Sequence, residues 1–296
     1  MVFRRVRHFA EMIKFEHTIF ALPFAYLGAF LAIKGIPSGH QLLWITLAMV
    51  GARTAAMALN RLIDRQSDAK NSRTAQRAIP KGLLSVAEVW LYVVASWGLL
   101  LVAAWQLNPL HLTVPLPVKL MPIAVFILTL YPYTKRFTWT CHLVLGLADG
   151  LAPVGAWIGI TGRWDFPATL LGLAVMSWIA GFDIIYACQD YEFDRDEGMY
   201  SIPARFGLKK ALVISGLLHI LTVVFLGWAG GVLGLSYLYW IGVIIASGIL
   251  IYEHSLVSPT DLSRLDAAFF NMNGILSVLV FVFTLADIFF GVRISQ

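Results

Sequence analysis

Charge is scarce in this chain. Asp, Glu, Lys and Arg make up 13% of its 296 residues against 59% hydrophobic residues, and the mean hydropathy is +0.76. A soluble domain carries about 25% charged residues, so a soluble fold is excluded. The nucleic-acid partner that a net charge of +5 would otherwise suggest is excluded with it. Cysteine is almost missing: Cys141 and Cys188 have no Cys or His neighbour at zinc-ligand spacing and form no secreted disulfide framework. Both are expected to be buried packing residues. No Gly/Ser linker or low-complexity tract divides the chain, so residues 1–296 are read as a single integral-membrane domain. The basic opening, Arg4, Arg5 and Arg7, precedes an apolar run, but Glu11, Lys14, Glu16 and His17 interrupt it and no A-x-A site follows. A cleaved signal peptide is therefore not expected.

Long apolar runs are what the chain does contain. Stretches near 15–34, 41–61, 84–107, 112–131, 142–160, 166–190, 209–232, 235–252 and 266–291 are each close to the length that crosses a hydrocarbon core, about 20 residues. The run at 112–131 is the least regular, because Pro115, Pro117, Lys119 and Pro122 crowd its start. None of the runs alternates as a membrane barrel does, and lipid leaves backbone groups only internal partners, so the expected fold is all-α with about nine spans. Lys and Arg concentrate at 1–15, 61–81, 135–136, 195–210 and 264, which hold 17 of the 22. The positive-inside rule makes that side cytoplasmic, the N-terminus included, and puts the C-terminus outside. Lys14 and His17 at the mouth of the first run read as interfacial anchors or as a polar rim to a pocket.

Within this apolar frame Asn60, Asp64 and Asp68 recur every fourth residue, a spacing that stacks them on one helical face. Arg53, seven residues before Asn60, points the same way from about two turns inside the span. A buried arginine needs an anionic ligand or partner. The connection that follows interleaves Arg65, Lys70, Arg73, Arg77 and Lys81 and closes on Pro80-Lys81-Gly82. Such a loop can bind lipid head groups. Carboxylates beside clustered cations are also what a magnesium diphosphate requires, the acids holding the metal and the bases the remaining phosphate charge.

Asp190 and Asp194 repeat the spacing of Asn60 and Asp64 at an offset of 130 residues, and Asp183 stands at the same offset from Arg53. Two related halves are therefore expected, bearing motifs at 60–68 and 190–194, with Arg53 facing Asp183 across them. Asp149, in GLADGLAP, has no assignable role at this level. The last three spans, with Asn271 and Asn273 as their noted polar residues, are expected to form wall.

Asn60-x-x-x-Asp64-x-x-x-Asp68 resembles the first signature of the UbiA superfamily of intramembrane aromatic prenyltransferases, and Asp190-x-x-x-Asp194 resembles the second. The likeness extends through Arg73-Thr74, Arg77, Pro80 and Gly82, through Tyr131-x-x-x-Lys135, and to Gly207. It therefore covers most of the chain. Arg61 departs from many members after the asparagine, and Tyr191-Glu192-Phe193 makes the second motif more apolar than in some relatives. The opening KFEHTIFALPFA resembles a bacterial branch assigned either to 4-hydroxybenzoate polyprenyltransferase or to dihydroxynaphthoate prenylation in menaquinone synthesis.

The resemblance implies a UbiA-like bundle with a cytoplasmic-side cap, set in a bacterial inner membrane. It implies Mg²⁺ on Asn60, Asp64, Asp68, Asp190 and Asp194, a polyprenyl diphosphate and an aromatic hydroxy acid as substrates, and catalytic roles for Asp64, Asp190, Asp194 and Lys135. Asn60, Arg73, Arg77 and Tyr131 would contact substrate. Arg53 would hold the acceptor carboxylate, with diphosphate as the other candidate. Two further classes bear on the same residues. A cation-coupled transporter expects its acids near the bilayer midplane, whereas these sit at span ends amid basic loops. A membrane phosphotransferase expects a D-G-x-x-A-R core, which is not in the sequence.

Overall fold

A computed structural model describes residues 8–9, 11–13 and 18–291. Arg4, Arg5, Arg7, Lys14, Glu16 and His17 lie outside the described residues. The fold is all-α. Among the described residues, eight helices are long and apolar enough to cross a membrane, and a shorter apolar helix precedes them. In chain order the elements are α1 (Thr18–Ile33), α2 (Gly39–Lys70), α3 (Val86–Gln106), α4 (Leu116–Thr134), α5 (Cys141–Thr161), α6 (Phe166–Ala187), α7 (Tyr191–Asp196), α8 (Ile202–Phe206), α9 (Leu208–Leu233), α10 (Tyr237–Ser255) and α11 (Asn273–Phe290). A 3₁₀ turn, Cys188–Asp190, joins α6 to α7, and a π turn, Ala267–Met272, leads into α11.

Local chemistry explains where these helices begin and end. Ser38 with Gln41 and Ser85 with Glu88 form capping boxes that satisfy the first orphan amides of α2 and α3. The expected second span stopped at residue 61, where apolarity ends, yet α2 runs on to Lys70. Helix propagation needs hydrogen bonds rather than apolar side chains, so the acidic face continues the helix beyond the hydrocarbon core. Pro117 sits in the first turn of α4, where its missing amide costs nothing, which accommodates the proline-crowded start.

The central element is α6, with Leu170, Leu171, Trp178, Ile184 and Ile185 inaccessible. It packs most extensively on α5 and α9, and α2 on α3. Small residues allow the α5–α6 approach: a Cβ at Gly150 would stand 2.6 Å from the Gly172 carbonyl oxygen. In lipid, where apolar burial gives no driving force between helices, such backbone proximity is the main source of helix association. Cys141 and Cys188 are buried free thiols.

Candidate active site

Asn60, Asp64 and Asp68 project from the last turns of α2 into a cavity of about 540 Å³, which Asp190 and Asp194 also line. Asn71 brings the two motifs together. Its side-chain oxygen accepts from the Arg73 backbone amide at 2.9 Å, and its Nδ2 donates to Asp190 at 3.0 Å. The chain thus turns directly after α2 and delivers Arg73 to the second motif. There Nε and Nη2 donate to the two oxygens of Asp190 at 3.0 and 2.5 Å. Burial works against the Arg73 charge, but the hydrogen bonds and charge of Asp190 outweigh it and hold the guanidinium above its usual pKa.

Lys135 and Arg77 each have their own acid. Lys135 Nζ meets Asp64 at 2.6 Å, with Arg136 on the other oxygen at 3.3 Å, and Arg77 meets Asp68 at 2.6 Å. The second oxygen of Asp68 is buried without a partner. Asn60 Nδ2 donates to Asp64 at 3.3 Å, while its oxygen accepts from Arg61 at 3.1 Å. Arg61, the departure from the family pattern, could have disturbed the stacked face of Asn60, Asp64 and Asp68; all three still line the cavity. Arg61 instead reaches back to occupy the very oxygen that Asn60 would offer a metal.

The deeper cavity holds Arg53, Tyr131, Asp149 and Asp183. The expected pairing of Arg53 with Asp183 is not formed. Asp183 instead bonds His142 Nδ1 at 2.6 Å. The His142 Nε2 accepts from the Ile202 amide at 3.2 Å, so in the neutral ring the proton resides on Nδ1 and is donated to Asp183. Arg53 is left with a buried, unpartnered Nε, and the acid whose charge bears on it is Asp149. The constant offset relates backbone positions and says nothing of the histidine that α5 brings to Asp183.

His142 also ties down the segment after α7. The Tyr200 amide donates to the Lys135 carbonyl at 2.7 Å, and Ser201 and Met199 line the cavity from above. Sequence reasoning missed His142, Asn71 and Tyr186. Their partners lie 41 to 119 residues away, and no local spacing marks them. Tyr186 alone had a signal, standing four residues before Asp190, the spacing that stacks side chains on one helical face.

Away from the charges the cavity is apolar, lined by Met49, Ala52, Leu100, Leu120, Ile123 and Leu128 of α2, α3 and α4. Ile123 is itself 56% exposed, so the apolar arm reaches the lipid-facing surface along α4. Among the described residues, none that lines the cavity comes from α9 or α10. Those helices are wall, as expected, but they are less apolar inside than the sequence suggested: Ser215, His219, Thr222 and Glu253 are all buried.

The hard oxygen donors of the acidic end suit Mg²⁺, and the unpartnered Asp68 oxygen is a donor of the kind such an ion takes. Among the described residues no three His, Cys, Asp or Glu side chains converge into a ready metal cage. Mg²⁺ is usually held through one or two carboxylates plus substrate phosphates and water, so the donor set fits a metal that arrives with a phosphate.

Comparison with known proteins agrees with this geometry. The model of the UbiA prenyltransferase family matches residues 21–275. A 4-hydroxybenzoate octaprenyltransferase of Photobacterium profundum is 29% identical over 281 residues, covering 94% of this chain and 95% of the relative. The apo structure of a UbiA homologue from Aeropyrum pernix K1 superposes with a TM-score of 0.81 at 31% identity, covering 92% of this chain and 98% of that one. A UbiA homologue from Archaeoglobus fulgidus bound to GPP and Mg²⁺ shares the fold at 22% identity, with a TM-score of 0.68 over 95% of this chain and 99% of its own.

Proposed function

Because the chain belongs to the UbiA prenyltransferase family, we propose that it transfers a polyprenyl group from its diphosphate to the ring of a phenolic carboxylic acid of the 4-hydroxybenzoate type. One observation carries this reading. A single cavity joins the acids and cations of both motifs, at one end, to a lipid-reaching apolar arm and to an arginine with an unpartnered buried Nε. The diphosphate, the prenyl chain and the acceptor carboxylate each find matching chemistry in it. The name of the Photobacterium relative supports the acceptor, and the ligands of the Archaeoglobus homologue support the donor and the metal.

In this reading Asp64 and Asp68 of the first motif, assisted by Asn60, and Asp190 and Asp194 of the second would hold Mg²⁺ together with the diphosphate. When bound, the ion supplies Lewis-acid neutralisation of the diphosphate leaving group. Lys135, Arg77 and Arg73, now paired with Asp64, Asp68 and Asp190, turn to the phosphate oxygens and stabilise the charge that develops as the allylic C–O bond breaks. The electron pair of that bond leaves with diphosphate. The ring carbon beside the acceptor hydroxyl then forms the new C–C bond, and the proton lost from that carbon passes to a carboxylate or to diphosphate. Tyr131 and Arg53 orient the acceptor, Arg53 through its carboxylate.

The connections bearing the cations meet at one end of the bundle, as the Arg73–Asp190, Lys70–Glu197 and Tyr200–Lys135 contacts require. The positive-inside rule places that end in the cytoplasm, and the bacterial relative supports an inner-membrane location. The constant offset supports one domain of two halves, the motifs at 60–68 and 190–194 being equivalent.

The test is incubation of the purified protein with Mg²⁺, a polyprenyl diphosphate and equal amounts of 4-hydroxybenzoate and a dihydroxynaphthoate, followed by mass identification of the product. Prenylated 4-hydroxybenzoate with stoichiometric diphosphate release is expected. Exclusive prenylation of the naphthoate overturns the acceptor assignment. Cation-dependent uptake without diphosphate release overturns the chemistry.

A further inference from the structure

The three C-terminal spans give the cavity one lining residue, Phe269, yet they enclose a buried polar network that the proposed chemistry does not use. Trp178 of α6, wholly buried, donates its indole N–H to Asn273 Oδ1 at 2.6 Å. An indole nitrogen only donates, so this bond fixes the orientation of the amide and turns Nδ2 the other way. There Nδ2 faces Glu253 Oε1 at 2.9 Å, the Phe269 carbonyl at 3.0 Å and the Ala268 carbonyl at 3.2 Å.

Both carbonyls belong to the π turn Ala267–Met272. A π turn disturbs the regular ladder of backbone bonds, and in lipid no water replaces a missing donor. The Asn273 side chain donates to two carbonyls of the turn from four and five residues downstream. The turn has a consequence at the cavity. One residue more or fewer in the winding rotates a side chain by roughly 100° about the helix axis, and the present winding lays Phe269 against Tyr186 with ring centroids 4.2 Å apart and edge-on to Phe182 at 5.2 Å. Tyr186 in turn accepts from Arg73 Nη1 at 3.2 Å, with the guanidinium carbon 5.4 Å from its ring centroid.

We propose that Asn273 is a positioning residue for the diphosphate end of the cavity: by holding the π turn it sets Phe269 against Tyr186, and through Tyr186 it sets Arg73. This rests on the reading of Arg73 as a diphosphate-binding group. The Glu253 carboxylate, fully buried in α10, fixes the Asn273 amide from behind and links the wall helices to the site.

A double-mutant cycle on Asn273→Leu and Phe269→Ala tests it in the purified full-length protein, with Mg²⁺ and a polyprenyl diphosphate as the varied substrate. Each single variant is expected to raise KM for the diphosphate about tenfold, the loss of one oriented cation–aromatic contact. The value of kcat stays within about twofold and the acceptor KM is unchanged, and the double variant is no worse than the weaker single. Should the leucine variant not accumulate as folded protein, Asn273→Ser replaces it. Its hydroxyl can satisfy one carbonyl at most, and about a threefold rise in the diphosphate KM is expected. Multiplied effects in the double variant overturn the proposal, as does a parallel fall of kcat and both affinities with Tm. Wild-type protein without Mg²⁺-dependent turnover overturns the underlying reading, whereas turnover indifferent to Asn273 overturns this inference alone.

Discussion

Replacing Arg53 with glutamine separates binding of the acceptor from binding of the donor. Arg53 Nε has no hydrogen-bond partner in the cavity, so that donor is free to meet a ligand. A carboxylate gripped by a guanidinium gains about 1.5–3 kcal/mol per charge-assisted hydrogen bond. Against this stand the desolvation of the incoming anion and the residual attraction of Arg53 to Asp149, which together offset about one such bond. For a carboxylate held by two such bonds a net loss of about 1.5–3 kcal/mol remains for Arg53→Gln, or roughly 12–150-fold in kcat/KM for 4-hydroxybenzoate. The assay compares this acid with a phenol that lacks the carboxylate, both against the same saturating diphosphate. For the phenol the variant should lose less than about threefold. Equal losses for both acceptors refute the assignment. A loss confined to the KM of the prenyl diphosphate transfers Arg53 to the phosphate.

Other consequences are equally accessible. Asp64→Asn and Asp194→Asn keep side-chain volume and should abolish Mg²⁺-dependent transfer while each protein retains the wild-type gel-filtration profile; turnover in either sinks the two-motif clamp. The Arg73–Asp190 pair, with side chains 34% and 17% exposed, should show a coupling of about 1–2 kcal/mol in a thermal-unfolding cycle of Arg73→Ala and Asp190→Ala. That coupling should vanish when Mg²⁺ and inorganic diphosphate are saturating, because the cation then has another partner; a coupling indifferent to ligand argues that the pair is purely structural. Gly150→Leu must drive a side chain into the α6 backbone, at a cost of at least about 1–3 kcal/mol, and should sharply reduce the yield of folded protein. A normal Tm for that variant contradicts the close α5–α6 approach.

Particular residues show where sequence reasoning succeeds. Asn60, Asp64 and Asp68 were readable because helix periodicity alone puts residues four apart on one face, and the structure places all three in the cavity. Helix existence was readable because lipid leaves the backbone no alternative. Boundaries were softer: α2 outlasts its apolar run, and α6 gives way to a 3₁₀ turn before Asp190. The pairing of Arg53 with Asp183 failed because an offset is a statement about one dimension, and His142 competes in three.

The sequence by itself determined that this chain crosses a membrane as helices, that two acidic faces recur at a constant offset, and that cations accompany them. Those properties follow from composition and from the periods of the helix, which act over a few residues. Tertiary structure alone decided which cation meets which acid, that Arg73 bridges the two motifs, that Arg53 keeps a buried donor free, and that Asn273 holds the π turn at the cavity wall. These are contacts between residues as many as 127 apart in the chain. Packing of whole helices sets such contacts, and local spacing cannot encode them.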